Sequence, residues 1–185
     1  MGNAVNSTRC PWCGSDPLYQ AYHDHEWGRP ERDAVRLFEL LLLESFQAGL
    51  SWITILRKRE AFRAAFAGFA PATLAAWGEA DVARLLQNPG IVRHRGKIEG
   101  AIRGAQAFLR IEAREGFSPF LWSFAPPPGP RPASMAEVPA QTLQSQAMSK
   151  ALKAEGFVFV GPTITYAFMQ ASGMVNDHIA TCDWG

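Results

Sequence analysis

The chain has 185 residues, 48% of them hydrophobic, and a formal net charge of +1. That length suits one domain, since about 100–200 residues per domain is usual, and the apolar share is enough for a sizeable core. No apolar run approaches the roughly 18–20 residues of a membrane span, and a pI of about 7.8 means that any nucleic-acid partner must be held by local charge, because generally basic binders lie above about 9.

From the N-terminus, Met1–Thr8 is short and polar and lacks the apolar stretch of a secretory signal. Three cysteines are too few, and odd in number, for a disulfide framework, so a cytoplasmic setting is expected. A helix from Asp33 to Ala48 is apolar over most of its circumference and stops at Gly49, a good residue just past a helix end. Ser51 is the expected N-cap of the next helix, on which Ile55, Phe62, Phe66 and Phe69 recur at helical spacing. A short helix over Ala80–Gln87 runs into Asn88-Pro89-Gly90. A long amphipathic helix follows, with Ile98, Ala101, Ile102, Ala105, Phe108 and Leu109 on one face, ending before Gly116.

The run Ala125–Pro132 is proline-rich and predicts an extended loop between two helical halves. Beyond it the pattern predicts helices at Leu143–Glu155, closed by Gly156, and Thr163–Ser172, closed by Gly173, then a terminal helix over Asn176–Cys182. The strand-like run Phe157–Val160 is too short and solitary for a sheet, and the expected class is all-α. Basic residues gather at Arg57, Lys58, Arg59 and Arg63, and again at Arg93, Arg95, Lys97 and Arg103; either group serves equally well as a solvated helix face.

Metal-ligating residues stand at the two ends of the chain. His178 and Cys182 are spaced i, i+4, which on a helix puts both on one face, and Cys10, Cys13 and His23 lie near the start. A closed tetrahedral zinc site takes four nitrogen or sulfur ligands. Two partitions are open: Cys10 with Cys13, or Cys10 with His23, each completed by His178 and Cys182.

Glu44 is the other anomaly. Its helical neighbours are Leu37, Leu40, Leu41 and Ala48, and a carboxylate on such a face is costly unless something bonds it. An arginine would do so; so would a ligand carrying an exocyclic amine. Trp12, Tyr19, Tyr22, Trp27 and Trp52 serve equally as plain core or as the flat apolar walls that a flipped base needs, and a cationic base would gain from such walls by cation–π attraction. Asn88–Val92 links two helical segments and leads into Arg93, His94, Arg95, Gly96 and Lys97. A tight turn at a helix start exposes backbone N–H groups that can hold a phosphate, with basic side chains adding salt-sensitive affinity.

Asp16–Gly28, Gln47–Trp52, Gly90–Lys97 and Val175–His178 together resemble the bacterial DNA-3-methyladenine glycosylase I family, a likeness running from about Arg9 to Cys182. The resemblance implies an all-α helix-hairpin-helix fold in one domain, with a helical core over about 33–173 and terminal segments 9–28 and 174–185 joined by a structural zinc. It implies the ligand set Cys10, His23, His178 and Cys182, leaving Cys13 aside. It implies that Glu44 hydrogen-bonds the adenine edge, Trp52 stacks on it, Tyr22 completes the pocket, and Trp12 and Tyr19 form the surrounding wall. Gly90, Arg93, Arg95, Gly96 and Lys97 would contact the DNA backbone. The implied enzyme is a monomer that flips 3-methyladenine out of alkylated double-stranded DNA and hydrolyses its glycosidic bond, releasing the free base without lyase activity. Ser45 departs from the glycine common in the family and is expected to narrow the pocket. Two other classes compete: a zinc-stabilised module that binds damage without cleaving, and a zinc hydrolase or deaminase, against which four ligands would close the site and the deaminase H-x-E and P-C-x-x-C order is absent.

Overall fold

The computed structural model describes residues 8–185. The expectation for Met1–Thr8 falls, apart from Thr8, on residues outside the described ones. Helix α1 (Pro17–His25) starts where Asp16 accepts hydrogen bonds from the Leu18 and Tyr19 amides and proline presets the first helical φ. Helix α2 (Ala34–Gln47) starts on Asp33, whose carboxylate takes the Arg36 amide, and it ends at Ala48 before Gly49 turns the chain at φ 83°. Ser51 stands at the N-cap of α3 (Trp52–Ala65) as its position predicts, but its hydroxyl pairs with that of Thr54 at 2.8 Å and not with an amide.

Helix α2 is the axis of the molecule. Leu37, Phe38, Leu41, Leu42, Leu43 and Phe46 are buried around it, and α3, α6 and α9 pack on its sides. Phe62, Phe66 and Phe69 form a stacked aromatic run against Phe46. Only Phe62 of these three lies on α3, because the chain kinks at Gly68. Helices α4 (Pro71–Ala75) and α5 (Glu79–Leu86) then lead through the 87–94 turn to α6 (Arg95–Arg114). Ile98, Ala101, Ile102, Ala105 and Phe108 of α6 are buried, but Leu109 is 40% exposed. The apolar stripe of α6 is therefore narrower than the sequence pattern suggests.

After α7 (Phe117–Trp122) the proline-rich segment runs without helix from 125 to 134. Helix α8 (Leu143–Glu155) opens with a reciprocal cap between Thr142 and Ser145 and closes at Gly156 with φ 107°. Helix α9 (Pro162–Ala171) packs on α8 and against α2. The run Phe157–Val160 joins α8 to α9 and forms no strand, nor is there one elsewhere among the described residues. It lies instead along α6, where a methyl group on Gly100 would sit 2.4 Å from Val158 Cγ2 and one on Gly104 would sit 3.1 Å from the Phe157 ring. These glycines let an irregular segment approach the helix that closely.

The expected helix over Asn176–Cys182 is absent. The tail is irregular because its backbone groups have other partners: the His178 amide donates to Asn176 Oδ1, the Ala180 amide to the Pro132 carbonyl, and the Asp183 amide to the Thr8 carbonyl. Helices α1, α4 and α7 are additions to the sequence reading. Two of them span only five and six residues, too short for a 3.6-residue period to be legible.

Candidate functional site

Two sites form where the chain ends meet the α2–α3 and α9 region. In the first, Cys10, His23, His178 and Cys182 are all buried, and one ligand atom from each lies within 4.8 Å of all the others. His178 Nδ1 is 3.4 Å from Cys182 Sγ and 3.7 Å from Cys10 Sγ, and His23 Nε2 is 3.6 Å from Cys182 Sγ. The outer ring nitrogens are bonded: His23 Nδ1 to Asp24 at 2.8 Å and His178 Nε2 to the Trp27 carbonyl at 3.2 Å. If each outer nitrogen carries the proton, the inner one keeps its lone pair free for a metal. Asp24 in turn takes a bidentate ion pair from Arg9. Burial opposes its charge, but the bonds from Arg9 and His23 hold its carboxyl below the ordinary value. Gly28 is needed beside the cluster, since its φ is 76° and a Cβ there would lie 3.0 Å from His178 Cδ2.

Cys13 stays out of the group, its Sγ donating to the Cys10 carbonyl at 3.2 Å. The spacing of His178 and Cys182 works without the helix assumed for it, because the Cys182 amide turns back to the Ile179 carbonyl at 2.8 Å and folds the tail tightly.

In the second site, a cavity of about 320 Å³ is lined by Trp12, Tyr19, Tyr22, Trp27, Glu44 and Trp52 on one side. Residues 135 and 138–140 and the 163–170 face of α9 line the other. That volume lies at the small end of the about 300–1,000 Å³ of ligand sites. The aromatic rings are set at steep angles to one another, with Trp12–Trp27 centroids 4.9 Å apart and Tyr22–Trp52 centroids 5.5 Å apart. Each therefore holds its neighbour upright.

Glu44 is 3% exposed, and its Oε2 has no hydrogen-bond partner. No arginine or lysine pairs with it among the described residues. Burial alone pushes its carboxyl up to about 8. Gln47 Oε1 and the indole N–H groups of Trp12 and Trp52 are likewise buried without partners, and all four residues line this cavity. Orphaned polar atoms are rare in native interiors, and four of them around one cavity leave bonding capacity that a ligand could use. A larger cavity of about 490 Å³ shares Tyr22 and Trp52. Arg59 is paired there with Glu26 and Arg63 with Glu39, and none of the buried polar atoms without partners belongs to a residue found only in this cavity.

The 87–94 turn lies apart from both. Asn88 Oδ1 accepts from the Gly90 amide at 2.8 Å, and Lys58 braces the turn through the Pro89 and Gly90 carbonyls. His94 caps α6 by accepting the Lys97 amide. Arg93 is exposed, while Arg95 is paired with Glu79 and Glu99. The Lys97 side chain does not reach the surface: it is 6% exposed, and its ammonium donates to the Phe46 and Ala48 carbonyls at 2.9 and 2.6 Å. Its placement on the DNA face is therefore corrected to a cap on the C-terminus of α2, where orphan carbonyls and the helix dipole favour a cation.

Ser45 also faces away from the cavity: its hydroxyl folds back to the Leu42 carbonyl at 2.7 Å, and it is not among the lining residues. The sequence reading gave no role to Gln47, Tyr166 or Gln170, which do line it. Gln47 was within reach, standing one turn after Glu44 on the same face. Tyr166 and Gln170 belong to a distant helix, and nothing local points to them.

The model for the methyladenine glycosylase family matches residues 12–184. A protein from Escherichia coli (strain K12) named DNA-3-methyladenine glycosylase 1 is 54% identical over 177 residues, covering 94% of this chain and 95% of its own length. A crystal structure of 3-methyladenine DNA glycosylase I superposes with a TM-score of 0.93 at 55% identity, over 95% of this chain and 98% of that one. A structure described as the basis of 3-methyladenine recognition by the Staphylococcus aureus enzyme gives 0.91 at 40% identity, over 95% of each chain.

Proposed function

The chain belongs to the methyladenine glycosylase family, and we infer from that membership that it is a DNA-repair enzyme that removes 3-methyladenine by hydrolysing its N-glycosidic bond. The observation that carries this to the present chain is the buried, unpaired carboxyl of Glu44 in an aromatic cavity. A protein that only gripped the DNA backbone would have no use for it, and leaving it unpaired costs stability.

The proposed mechanism starts with a nucleotide turned out of double-stranded DNA into this cavity. Trp52 and Tyr22 form the flat walls, with Trp12 and Tyr19 behind them. With its proton held up to about pH 8, the Glu44 carboxyl offers both an O–H and a C=O. That pairing complements the adjacent donor and acceptor on an adenine edge. Methylation at N3 makes the base a cation and weakens its bond to the sugar. The C1′–N9 bond then breaks, the base leaves neutral with the bonding pair, and water joins C1′ and gives its extra proton to solvent. An abasic site and free 3-methyladenine result. Binding and orientation supply most of the rate. No amine nucleophile is available from Lys97, whose ammonium is engaged by two carbonyls, which supports a reaction without strand cleavage.

We assign zinc to the Cys10–His23–His178–Cys182 group. With bonds of about 2.3 Å to sulfur and 2.0–2.1 Å to nitrogen, a tetrahedral zinc separates a sulfur and a nitrogen by about 3.6 Å; the distances here are 3.4, 3.6 and 3.7 Å. Four protein ligands leave no open position, so when bound the ion would join the two terminal segments to the core and take no part in hydrolysis. The DNA backbone is placed along the Gly90–Gly96 turn, held by its amides and by Arg93, with Arg95 joining if it exchanges Glu79 for phosphate. The reading is of a single domain acting as a monomer, and its three free thiols suit a reducing, cytoplasmic setting.

The test is release of 3-methyladenine from methylated duplex DNA, resolved by chromatography, with Glu44→Ala run beside the wild type, since glutamine would keep a donor and an acceptor in the same place. Release by the wild type and a loss of at least about tenfold in the variant is expected. Binding of damaged duplex without release would instead select the non-cleaving reading.

A further inference from the structure

Asp177 is used by neither site, yet it connects them. It immediately precedes His178 of the metal-ligand group, and one of its oxygens, Oδ2, accepts two hydrogen bonds from α9: Tyr166 Oη at 2.7 Å and Gln170 Nε2 at 2.8 Å. Tyr166 and Gln170 stand one helical turn apart, and both line the base cavity. Gln170 is held at its other end too, since its main-chain carbonyl accepts the Gly28 amide at 3.1 Å. Gly28 follows Trp27, another wall residue, whose carbonyl is bonded by His178 Nε2.

The bonds have a chemical consequence. Tyr166 has one hydroxyl proton and spends it on Asp177, so its oxygen has only lone pairs to offer to anything else. Gln170 spends one of its two N–H donors on the same carboxylate, which fixes which way its amide points and leaves the amide oxygen free as an acceptor. Burial first, and then the bond to Asp177, push the Tyr166 phenol well above its ordinary value, so this proton stays in place. We propose that Asp177 is a positioning residue for base recognition: through Tyr166 and Gln170 it sets the α9 wall of the cavity as a hydrogen-bond acceptor face, suited to a ligand bearing N–H groups. Because its neighbour is a metal ligand, the ordered tail also fixes where this carboxylate stands. The inference rests on the cavity being the 3-methyladenine site.

The test uses the zinc-loaded full chain and free 3-methyladenine, with affinity read from tryptophan fluorescence and metal content measured in parallel. Asp177→Asn keeps the shape but brings an N–H₂ group that can reverse the polarity of both contacts. It is expected to weaken 3-methyladenine by about tenfold, the scale of one or two hydrogen bonds, at unchanged metal content. In a Tyr166→Phe, Gln170→Met background the same change should add less than about twofold, because its effect has no route to the base. Equal weakening in both backgrounds, or none in either, overturns the proposal. If Asp177→Asn loses its metal, Tyr166→Phe alone decides the matter: a weaker complex supports the acceptor wall, and an unchanged one overturns it. Wild-type protein that neither binds the base nor releases it from DNA overturns the underlying assignment and this inference together. A wild type that does both, with no coupling to Asp177, overturns the inference alone.

Discussion

The Cys10–His23–His178–Cys182 group and the Glu44 cavity share the walls made by Trp12 and Trp27: the Trp27 ring is 4.7 Å from His178, and the Trp12 ring is 5.2 Å from His23. Chemically they are opposites. Around the cluster every outward-facing polar atom of the ligands is bonded, to Asp24 on one side and the Trp27 carbonyl on the other. Around the cavity, Glu44, Gln47, Trp12 and Trp52 all keep a buried polar atom without a partner. A closed network holds the fold together, whereas an open one keeps bonding capacity for a ligand and costs stability until the ligand arrives. Neighbouring parts of one molecule have thus been given opposite tasks.

The comparison breaks most visibly on removing the closed site. Chelation of the metal, or Cys182→Ala, should lower the melting temperature by about 10 °C or more, since metal binding contributes directly to folding and a chain of this size shifts by about 2–4 °C per kcal/mol. If calorimetry shows equal melts with unequal metal content, the cluster is not the fastener.

Next comes Glu44→Gln, which should move stability in the other direction. The folded chain holds the Glu44 proton to about pH 8, while the unfolded chain releases it near the ordinary carboxylate value. Between those limits the native state binds more protons, so wild-type stability falls as pH rises and the penalty is complete above about 8. Glutamine pays none of it. The variant should therefore melt higher than the wild type, by a margin that grows from pH 5 to pH 8. A margin independent of pH would mean that Glu44 finds a partner in solution.

Trp52→Leu keeps apolar bulk but loses the flat wall. Free 3-methyladenine should bind about tenfold more weakly, stacking being worth roughly 1–3 kcal/mol per base, with little change in melting. The smallest effects are expected at the hairpin. Arg93→Ala should reduce the salt dependence of duplex binding by about one phosphate contact, and Arg95→Ala by less, because its charge is already matched by Glu79 and Glu99. Neither should alter binding of the free base. A larger loss from Arg95 than from Arg93 would show that its ion pairs open on DNA.

Much of this arrangement is legible in the sequence where the signal is local. Asp33, Gly49, Thr142 and Gly156 mark helix ends through their own side chains or backbone freedom, and α2, α6 and α8 follow from apolar periodicity. Glu44 stands out because a carboxylate among leucines violates the pattern of its own helix. Where a second segment intervenes, the local reading fails. The 176–182 segment has the spacing of a helix, but the amides of His178, Ala180 and Cys182 are taken by Asn176, Pro132 and Ile179. Lys97 sits in a run of basic residues, but the end of α2 supplies it with two carbonyls.

The sequence by itself therefore determined the all-helical class, the main helices, the anomalous glutamate and, through the likeness of its motifs, the family and the four Cys and His residues that gather into one buried group. Only the tertiary structure decided that Ser45 points elsewhere, that Lys97 is a cap, and that Tyr166 and Gln170 meet Asp177 at the cavity. The physical reason is range. Helix propensity, capping and burial pattern act over a few neighbouring residues, but the partner of a buried polar group is chosen by whichever distant segment packs against it.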